Sequence, residues 1–312
     1  MNSEDKIAVL SRSFSKHKLL RQELLAKYSN VKFNDEGLKL NGRTLIKFLE
    51  GATKAITALE VIDNSVISAL PKLKVISKYG VGIDMIDKDA LEKHNVKLGW
   101  TGGVNRRSVS ELVISSAISM LRHVPIASED AIKGNWRQFI GRELSSLTIG
   151  IIGCGFIGKD LAKLLSVFGS NVLAYDILDF PEFYKKNNVT PVDISTLLKE
   201  SDLVTLHLPL DKSTKNILNK ERMNLMKKSA LLINYSRGGL LDESELKSML
   251  MNGQLAGAAL DVFSQEPPED QELINLPNFI VTPHIGGSSE EAVMAMGRSA
   301  IEGLDDCHRA HL

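Results

Sequence analysis

Cysteine is nearly missing from this chain: Cys154 and Cys307 are the only two among 312 residues, and they form neither a zinc pattern nor a C-x-x-C pair. A disulfide framework is excluded, which fits a reducing compartment. Net charge is missing too. Thirty-eight Lys and Arg balance 38 Asp and Glu, so no broad positive field exists to hold nucleic acid or an anionic membrane, and any bound anion must be met by local groups. No window approaches 18 apolar residues without charge, and the start MNSEDKIAVLSRS lacks a basic segment followed by an apolar core. Neither a membrane span nor a secretory leader is therefore expected. A repeat of fixed period and low-complexity tracts are also lacking. The expectation is a soluble cytoplasmic protein whose length and 43% hydrophobic content support two domains.

What the chain has in quantity is alternation. IAVLS (7–11), KAITA (54–58), LKVIS (73–77) and VKLGW (96–100) are short apolar runs separated by helix-like stretches such as KHKLLRQELLAKY and DMIDKDALEKHN. That order predicts a parallel sheet covered by helices. From Asn105 a single helical pattern takes over, with Val109, Leu112, Val113, Ala117, Met120, Leu121 and Val124 on one face. A second series follows: TIGIIG, NVLAY, LVTLHL, ALLIN, AGAAL and FIVT, six strands as in a dinucleotide-binding sheet. The closing amphipathic stretch EEAVMAMGRSAIEGLDDC has no strand after it and is expected to pack back on the first domain. The predicted class is α/β, with two doubly wound parallel-sheet domains.

In GIIGCGFIG the glycines 153, 155 and 158 make G-x-G-x-x-G between a strand and a helix. Gly153 allows the tight turn, Gly155 lets the backbone approach a pyrophosphate, and Gly158 lets helix and strand pack closely. The helix N-terminus adds unpaired N–H groups and a partial positive charge. NVLAY then ends at Asp176, 18 residues beyond Gly158, where a carboxylate bonds a ribose 2′-hydroxyl and repels a 2′-phosphate. NAD is thus favoured over NADP. Cys154 reads as a small residue that fits the loop.

Three further segments follow strands of the second series: NYSRGG with Arg237, ALDVFSQEPP with Asp261 and Glu266, and TPHIGG with His284. Ligands gather beyond the carboxyl ends of strands in such sheets. Hydride transfer to a carbonyl needs a proton donor for the oxygen and a cation that orients the substrate. His284 suits the first task and Arg237 the second, while Glu266 on the far imidazole nitrogen would fix the tautomer and favour the charged ring. Each has a plainer reading: His284 as a turn histidine, Glu266 as a solvated loop acid, Arg237 as a strand-end cation paired with Asp242. That all three should stand after their strands by chance is the weaker alternative.

Together with KYGVGID and GVNRRSVSELV, these motifs make the chain resemble the D-2-hydroxyacid dehydrogenases, in particular the phosphoglycerate dehydrogenase branch, from about Val66 to the last helix. The resemblance implies a Rossmann coenzyme domain (residues 101–285) inserted into a flavodoxin-like substrate domain (1–100 and 286–312), NAD as cofactor and no metal. It implies Arg237, Glu266 and His284 as the catalytic set, and Asp261 with the main chain near Tyr235 as the holders of the nicotinamide amide. Other coenzyme contacts are expected at Phe156, Ile157, His207, Pro209 and Gly286. The Val81–Gly82 turn would present backbone N–H groups to the substrate carboxylate, a plausible anion nest on physical grounds as well. A homodimer using the long helix after Asn105 is also implied.

Thr57 departs from the branch, standing where a cation near the substrate is expected; Lys78, Arg106, Arg107 and Arg137 are the candidate replacements, each with the plainer reading of a solvated surface charge, and Lys78 is the one carried as a substrate contact. The sequence ends at Leu312 without an appended serine-binding domain, so feedback control of that kind is not expected. The leading function is interconversion of a D-2-hydroxy acid and its 2-oxo acid, with D-3-phosphoglycerate as one candidate. The alternatives are a reductase of hydroxypyruvate or another 2-oxo acid, and a non-catalytic NAD-sensing scaffold like the corepressors that share the fold.

Overall fold

The computed structural model describes residues 5–308 and divides the chain into two compact units. The first is drawn from the chain up to Asn105 and from Glu290 onward; the second is Arg106–Ser289. Both boundaries fall a few residues later than the sequence suggested. The second unit begins with a helix, Arg106–Leu121, and it keeps residues 286–289 because Ser108 Oγ on that helix donates to the Gly286 carbonyl and accepts from Ser289 N–H.

In the first unit, strands β1 (Ile7–Val9), β2 (Val31–Phe33), β3 (Lys54–Thr57), β4 (Val75–Lys78) and β5 (Lys97–Gly99) form a parallel sheet in the order β2-β1-β3-β4-β5. This is the flavodoxin-like order. Strand β2 was not visible in the sequence: it has three half-exposed or exposed residues at the sheet edge. One apolar layer holds Leu45, Leu49, Ile62 and Ile76; another holds Ile7, Val9, Phe14 and Leu20.

The last helix, Glu290–Glu302, completes this second layer with Ala300 and Ile301. A Cβ on Gly297 would collide with Leu20, and one on Gly99 would overlap the Gly303 backbone. Both glycines therefore permit close approach, and Arg298 pairs with Glu23 at 2.8 Å at the rim. Ser77 Oγ donates to the Ala300 carbonyl at 2.7 Å.

In the second unit, β6 (Thr148–Ile152), β7 (Asn171–Tyr175), β8 (Val189–Pro191), β9 (Leu203–Leu206), β10 (Leu231–Asn234), β11 (Gly257–Leu260) and β12 (Phe279–Val281) form a parallel sheet in the order β12-β11-β10-β9-β6-β7-β8. Relative to β6 this is the Rossmann order 3-2-1-4-5-6 with one more strand. There are seven strands where six were expected. The extra one, β8, is short, mostly exposed and ends on Pro191, which only an edge tolerates because proline cannot donate to the ladder. The central strands β9, β10 and β11 are buried throughout, as a sheet covered on both faces requires.

The helix after β6, Phe156–Phe168, buries Leu161 and Leu165 against Val109, Val113 and Ala117 of the Arg106–Leu121 helix. Each such leucine contributes about 1.5–3 kcal/mol over exposure, so Leu161→Ala would cost about 2–5 kcal/mol. The helical pattern expected to run from Asn105 through Val124 is broken. His123 takes φ 55, and a new helix, Val124–Ile132, starts with Pro125 in its first turn. None of its residues is buried.

Candidate active site

The glycine loop after β6 has the shape its spacing asks for. Gly153 takes φ 99, and a Cβ there would overlap the carbonyl of His207; a Cβ on Gly158 would overlap the carbonyl of Gly153. Gly155 differs, because nothing lies within 4 Å of where its Cβ would be. Crowded glycines thus shape the turn, while the open one leaves space for a ligand. Gly155 also precedes the Phe156–Phe168 helix without a side-chain cap, so the first N–H groups are available to an anion. Phe156 is exposed at the start of this helix, and Ile157 packs partly into the core.

Asp176 stands one residue past β7 and turns back on the loop. Its Oδ2 accepts from Cys154 N–H at 2.6 Å and its Oδ1 from Leu178 N–H at 2.9 Å. The carboxylate is fixed beside the glycines without a cationic side chain among these partners, and the residues after it, Ile177 and Leu178, are exposed and apolar. Cys154 is buried, and burial pushes its thiol up to about 11, so it is a packing residue. His207 follows β9. Burial pushes its imidazole down to about 3, Nε2 meets Thr205 Oγ1 at 3.0 Å, and Nδ1 has no partner. Pro209 is exposed just beyond it.

The three expected catalytic residues follow three adjacent strands, β10, β11 and β12. Gly238 accounts for part of this arrangement, because a Cβ there would overlap the Phe263 carbonyl. The segment carrying Arg237 therefore lies backbone to backbone against the one leading to Glu266. Arg237 is half-buried and donates to the Ser236 carbonyl at 2.7 Å, and Asn234 Nδ2 donates to the Arg237 carbonyl at 2.8 Å. Asp242 accepts from the N–H groups of Ser244 and Glu245 and caps the Glu243–Met251 helix, in keeping with its reading as the start of that helix rather than as the partner of Arg237. Glu266 is gripped at both oxygens: Oε1 accepts from Phe263 N–H at 3.2 Å, and Oε2 meets His284 Nδ1 at 2.9 Å.

Asp261 is where the structure adds to the expectation. Its carboxylate is buried, with Oδ1 accepting from Thr282 Oγ1 at 2.6 Å and Ile285 N–H at 2.7 Å, and Oδ2 from Gly286 N–H at 2.7 Å. These bonds hold the turn in which His284 takes φ 56, a left-handed conformation that a non-glycine residue keeps only when its surroundings impose it. Asp261 thus positions His284. Thr282 and Ser108, to which sequence reasoning gave no role, belong to the same clamp; their signal was membership in the motifs TPHIGG and GVNRRSVSELV. Tyr235 is buried with its hydroxyl 2.6 Å from Ser116 Oγ, which leaves its main chain as the part able to meet a ligand.

The other expected substrate contacts, Lys78, Val81 and Gly82, belong to the first unit. Val81 and Gly82 follow β4, after Gly80 at φ 119, and the Trp100 indole donates to the Val81 carbonyl at 2.8 Å. Lys78 is buried and its Nζ donates to the Ala58 carbonyl. Arg107 pairs with Asp160 at 2.9 Å, and Arg137 covers the Phe139 ring at 4.6 Å, so both have structural employment in the second unit.

Comparison with known proteins bears on the same residues. The family model described as "D-isomer specific 2-hydroxyacid dehydrogenase, NAD binding domain" matches residues 114–286. The chain belongs to this family. D-3-phosphoglycerate dehydrogenase of Methanocaldococcus jannaschii is 39% identical over 254 residues, covering 80% of this chain and 48% of that protein. Hydroxypyruvate reductase of Thermotoga maritima is 35% identical over 293 residues, covering 91% of each. The chain therefore spans about half the length of the first of these dehydrogenases and nearly all of the second. Among solved structures, D-lactate dehydrogenase of Aquifex aeolicus, complexed with NAD and lactic acid, superposes with a TM-score of 0.84 at 25% identity, covering 96% of this chain and 93% of that one. Family membership makes the second unit an NAD-binding domain, and its residues fit the group: an open Gly155, an uncapped helix start and a fixed Asp176. Relatives of comparable identity carry different substrate names, so the branch does not follow from likeness alone.

Proposed function

We propose that this protein interconverts a D-2-hydroxy acid and its 2-oxo acid with NAD. The observation that carries the reading is the Glu266–His284 pair, 2.9 Å apart, on the segments that follow β11 and β12, with Arg237 on the segment that follows the adjoining β10. Bound NADH supplies the hydride that goes to C2 of the oxo acid. With Nδ1 committed to Glu266, His284 Nε2 is the nitrogen that gives a proton to the carbonyl oxygen, and it takes the proton back in the oxidative direction. The Arg237 guanidinium holds the oxo acid and offsets the charge that develops on its oxygen. Asp176 selects NADH over NADPH, supported by the absence of a cation at Ile177 and Leu178.

Among substrates, we favour a small three-carbon 2-oxo acid of the hydroxypyruvate type. The likeness to a hydroxypyruvate reductase over 91% of both chains supports it. Phosphohydroxypyruvate is the second reading, supported by the dehydrogenase named above. The experiment is oxidation of NADH and NADPH against a panel of 2-oxo acids with and without a terminal phosphate. Turnover with at least one acid, and with NADH ahead of NADPH, is expected. Tight NAD binding with turnover of none would instead identify a sensing scaffold.

We also propose a homodimer in a reducing cytosol. The exposed apolar residues Ile132, Trp136 and Ile140, at 84%, 91% and 97% exposure, form a stretch that a second copy would cover. Both cysteines are free thiols. No helix among the described residues is long and apolar enough to cross a membrane.

A further inference from the structure

We propose that the first unit carries a second binding site, at the β2 edge of its sheet, that takes a small organic anion with a flat apolar body.

Charge is not spread evenly along the chain. Residues 12–47 hold nine Lys and Arg against three Asp and Glu, although the whole chain balances 38 against 38. A local excess of one sign favours a partner of the other. Within this segment β2, the loop after it and the Gly42–Leu49 helix frame a cavity of about 590 Å³. That volume lies in the range of small-molecule sites. β2 is the edge strand of the order β2-β1-β3-β4-β5, three strand spacings or about 14 Å from β4. The cavity is therefore not the Val81–Gly82 nest, which follows β4.

Its walls are fixed before any ligand arrives. Asn34 is buried, with Nδ2 donating to the Leu10 and Leu38 carbonyls at 2.9 and 3.0 Å and Oδ1 accepting from Leu38 N–H at 2.9 Å. These bonds hold the loop. Thr44 Oγ1 accepts from Asn41 N–H at 3.0 Å and so fixes the start of the helix. Phe33, Leu38, Leu40 and Phe48 supply apolar lining, while Lys32, Lys39 and Lys47 supply charge. Lys32 Nζ donates to the Phe48 carbonyl at 2.8 Å and lies 4.2 Å from the centre of the Phe48 ring. Of the two acids that line the cavity, Asp35 pairs with Arg21, whose guanidinium covers the Phe33 ring at 3.8 Å. Among the lining residues, Glu36 alone then opposes three ammonium groups.

An ammonium is a compact point charge, matched by a carboxylate, sulfonate or phosphate head. Aromatic and leucine walls suit a flat apolar body behind that head. A nucleic acid would meet the lysines and leave the apolar recess empty, so a small molecule is the better match.

The test is a fluorescence titration of the NAD-saturated protein with 8-anilinonaphthalene-1-sulfonate and with N-phenyl-1-naphthylamine, the same rings without the sulfonate. NAD occupies the coenzyme cleft, so dye held there is not counted. Saturable binding of one sulfonate dye per chain is expected. Combining Lys39→Glu with Lys47→Glu should weaken the sulfonate at least about tenfold and the neutral dye by less than about twofold. Leu38→Trp, which fills the recess and keeps the lysines, should weaken both dyes. Melting curves and the NADH dissociation constant report that the variants are folded. Absence of saturable binding, a double variant within about twofold of wild type, or equal weakening of both dyes by the double variant overturns the inference. So does displacement of the dye by duplex DNA at micromolar concentration, which would make the basic segment a surface for polyanions. The reaction proposed above stands or falls separately.

Discussion

Asp261→Asn replaces one oxygen of a buried carboxylate by an amide nitrogen, and the geometry fixes what that does. Thr282 Oγ1 and Ile285 N–H both donate to Oδ1, while Gly286 N–H donates to Oδ2. An asparagine oriented to keep the first two bonds aims its NH₂ at the Gly286 N–H, donor against donor. Flipped, it keeps the Gly286 N–H, and Thr282 Oγ1 can turn to accept from the NH₂, but the Ile285 N–H then faces a donor. The better choice still leaves a buried N–H unsatisfied, which costs about 1–3 kcal/mol. Taking about 2 kcal/mol and a unit of this size, the melting temperature should fall by about 4–8 °C. The turn that holds His284 at φ 56 then loses its anchor, and a displacement of about 1 Å is enough to lower turnover about 100-fold. Thermal unfolding and steady-state kinetics with NADH and the preferred 2-oxo acid check both halves. A variant with wild-type melting and wild-type kcat would show that the carboxylate does not position the histidine.

Three other outcomes follow from particular contacts. Gly238→Ala places a Cβ against the Phe263 carbonyl, so Arg237 must move away from the Glu266 segment; kcat/KM should drop at least about tenfold, and unchanged kinetics would contradict that packing. His207 is neutral in the fold, with its imidazole pushed down to about 3 by burial against an ordinary 6.5. As pH falls the unfolded chain takes the proton first, so stability is lost below about 6.5, by about 2 kcal/mol between pH 7 and pH 5. Urea unfolding at both pH values should show this dependence flattened in His207→Gln, and an equal dependence in both proteins would refute it. Trp136→Glu puts a charge into the exposed apolar stretch and should shift the protein from dimer to monomer in light scattering, whereas a wild type that is monomeric at micromolar concentration removes the proposed interface.

Much of the second unit was legible because its sheet is buried on both faces. TIGII, NVLAY, LVTL, LLIN, AGAAL and FIVT stand out as apolar runs, and each functional segment follows one. Strands β2 and β8 were not legible, since an edge strand of three residues with polar or proline positions carries no such signal. Periodicity also ran past His123: Val124 keeps the helical spacing, but nothing in the spacing tells that His123 adopts a left-handed conformation or that the next helix buries none of its residues. The triad could be proposed from order along the chain. The clamp around Asp261 could not, because two of its three donors are backbone N–H groups that sequence does not distinguish.

The central claim is that His284, oriented by Glu266, moves the proton while the glycine loop holds the coenzyme independently. Stopped-flow reduction of the preferred 2-oxo acid by NADH, comparing wild type with His284→Ala, tests it most directly. The account requires the hydride-transfer rate to fall about 100- to 10,000-fold, with the NADH dissociation constant within about twofold of wild type. Wild-type rates in the variant, or a collapse of NADH binding with the rate, would contradict it.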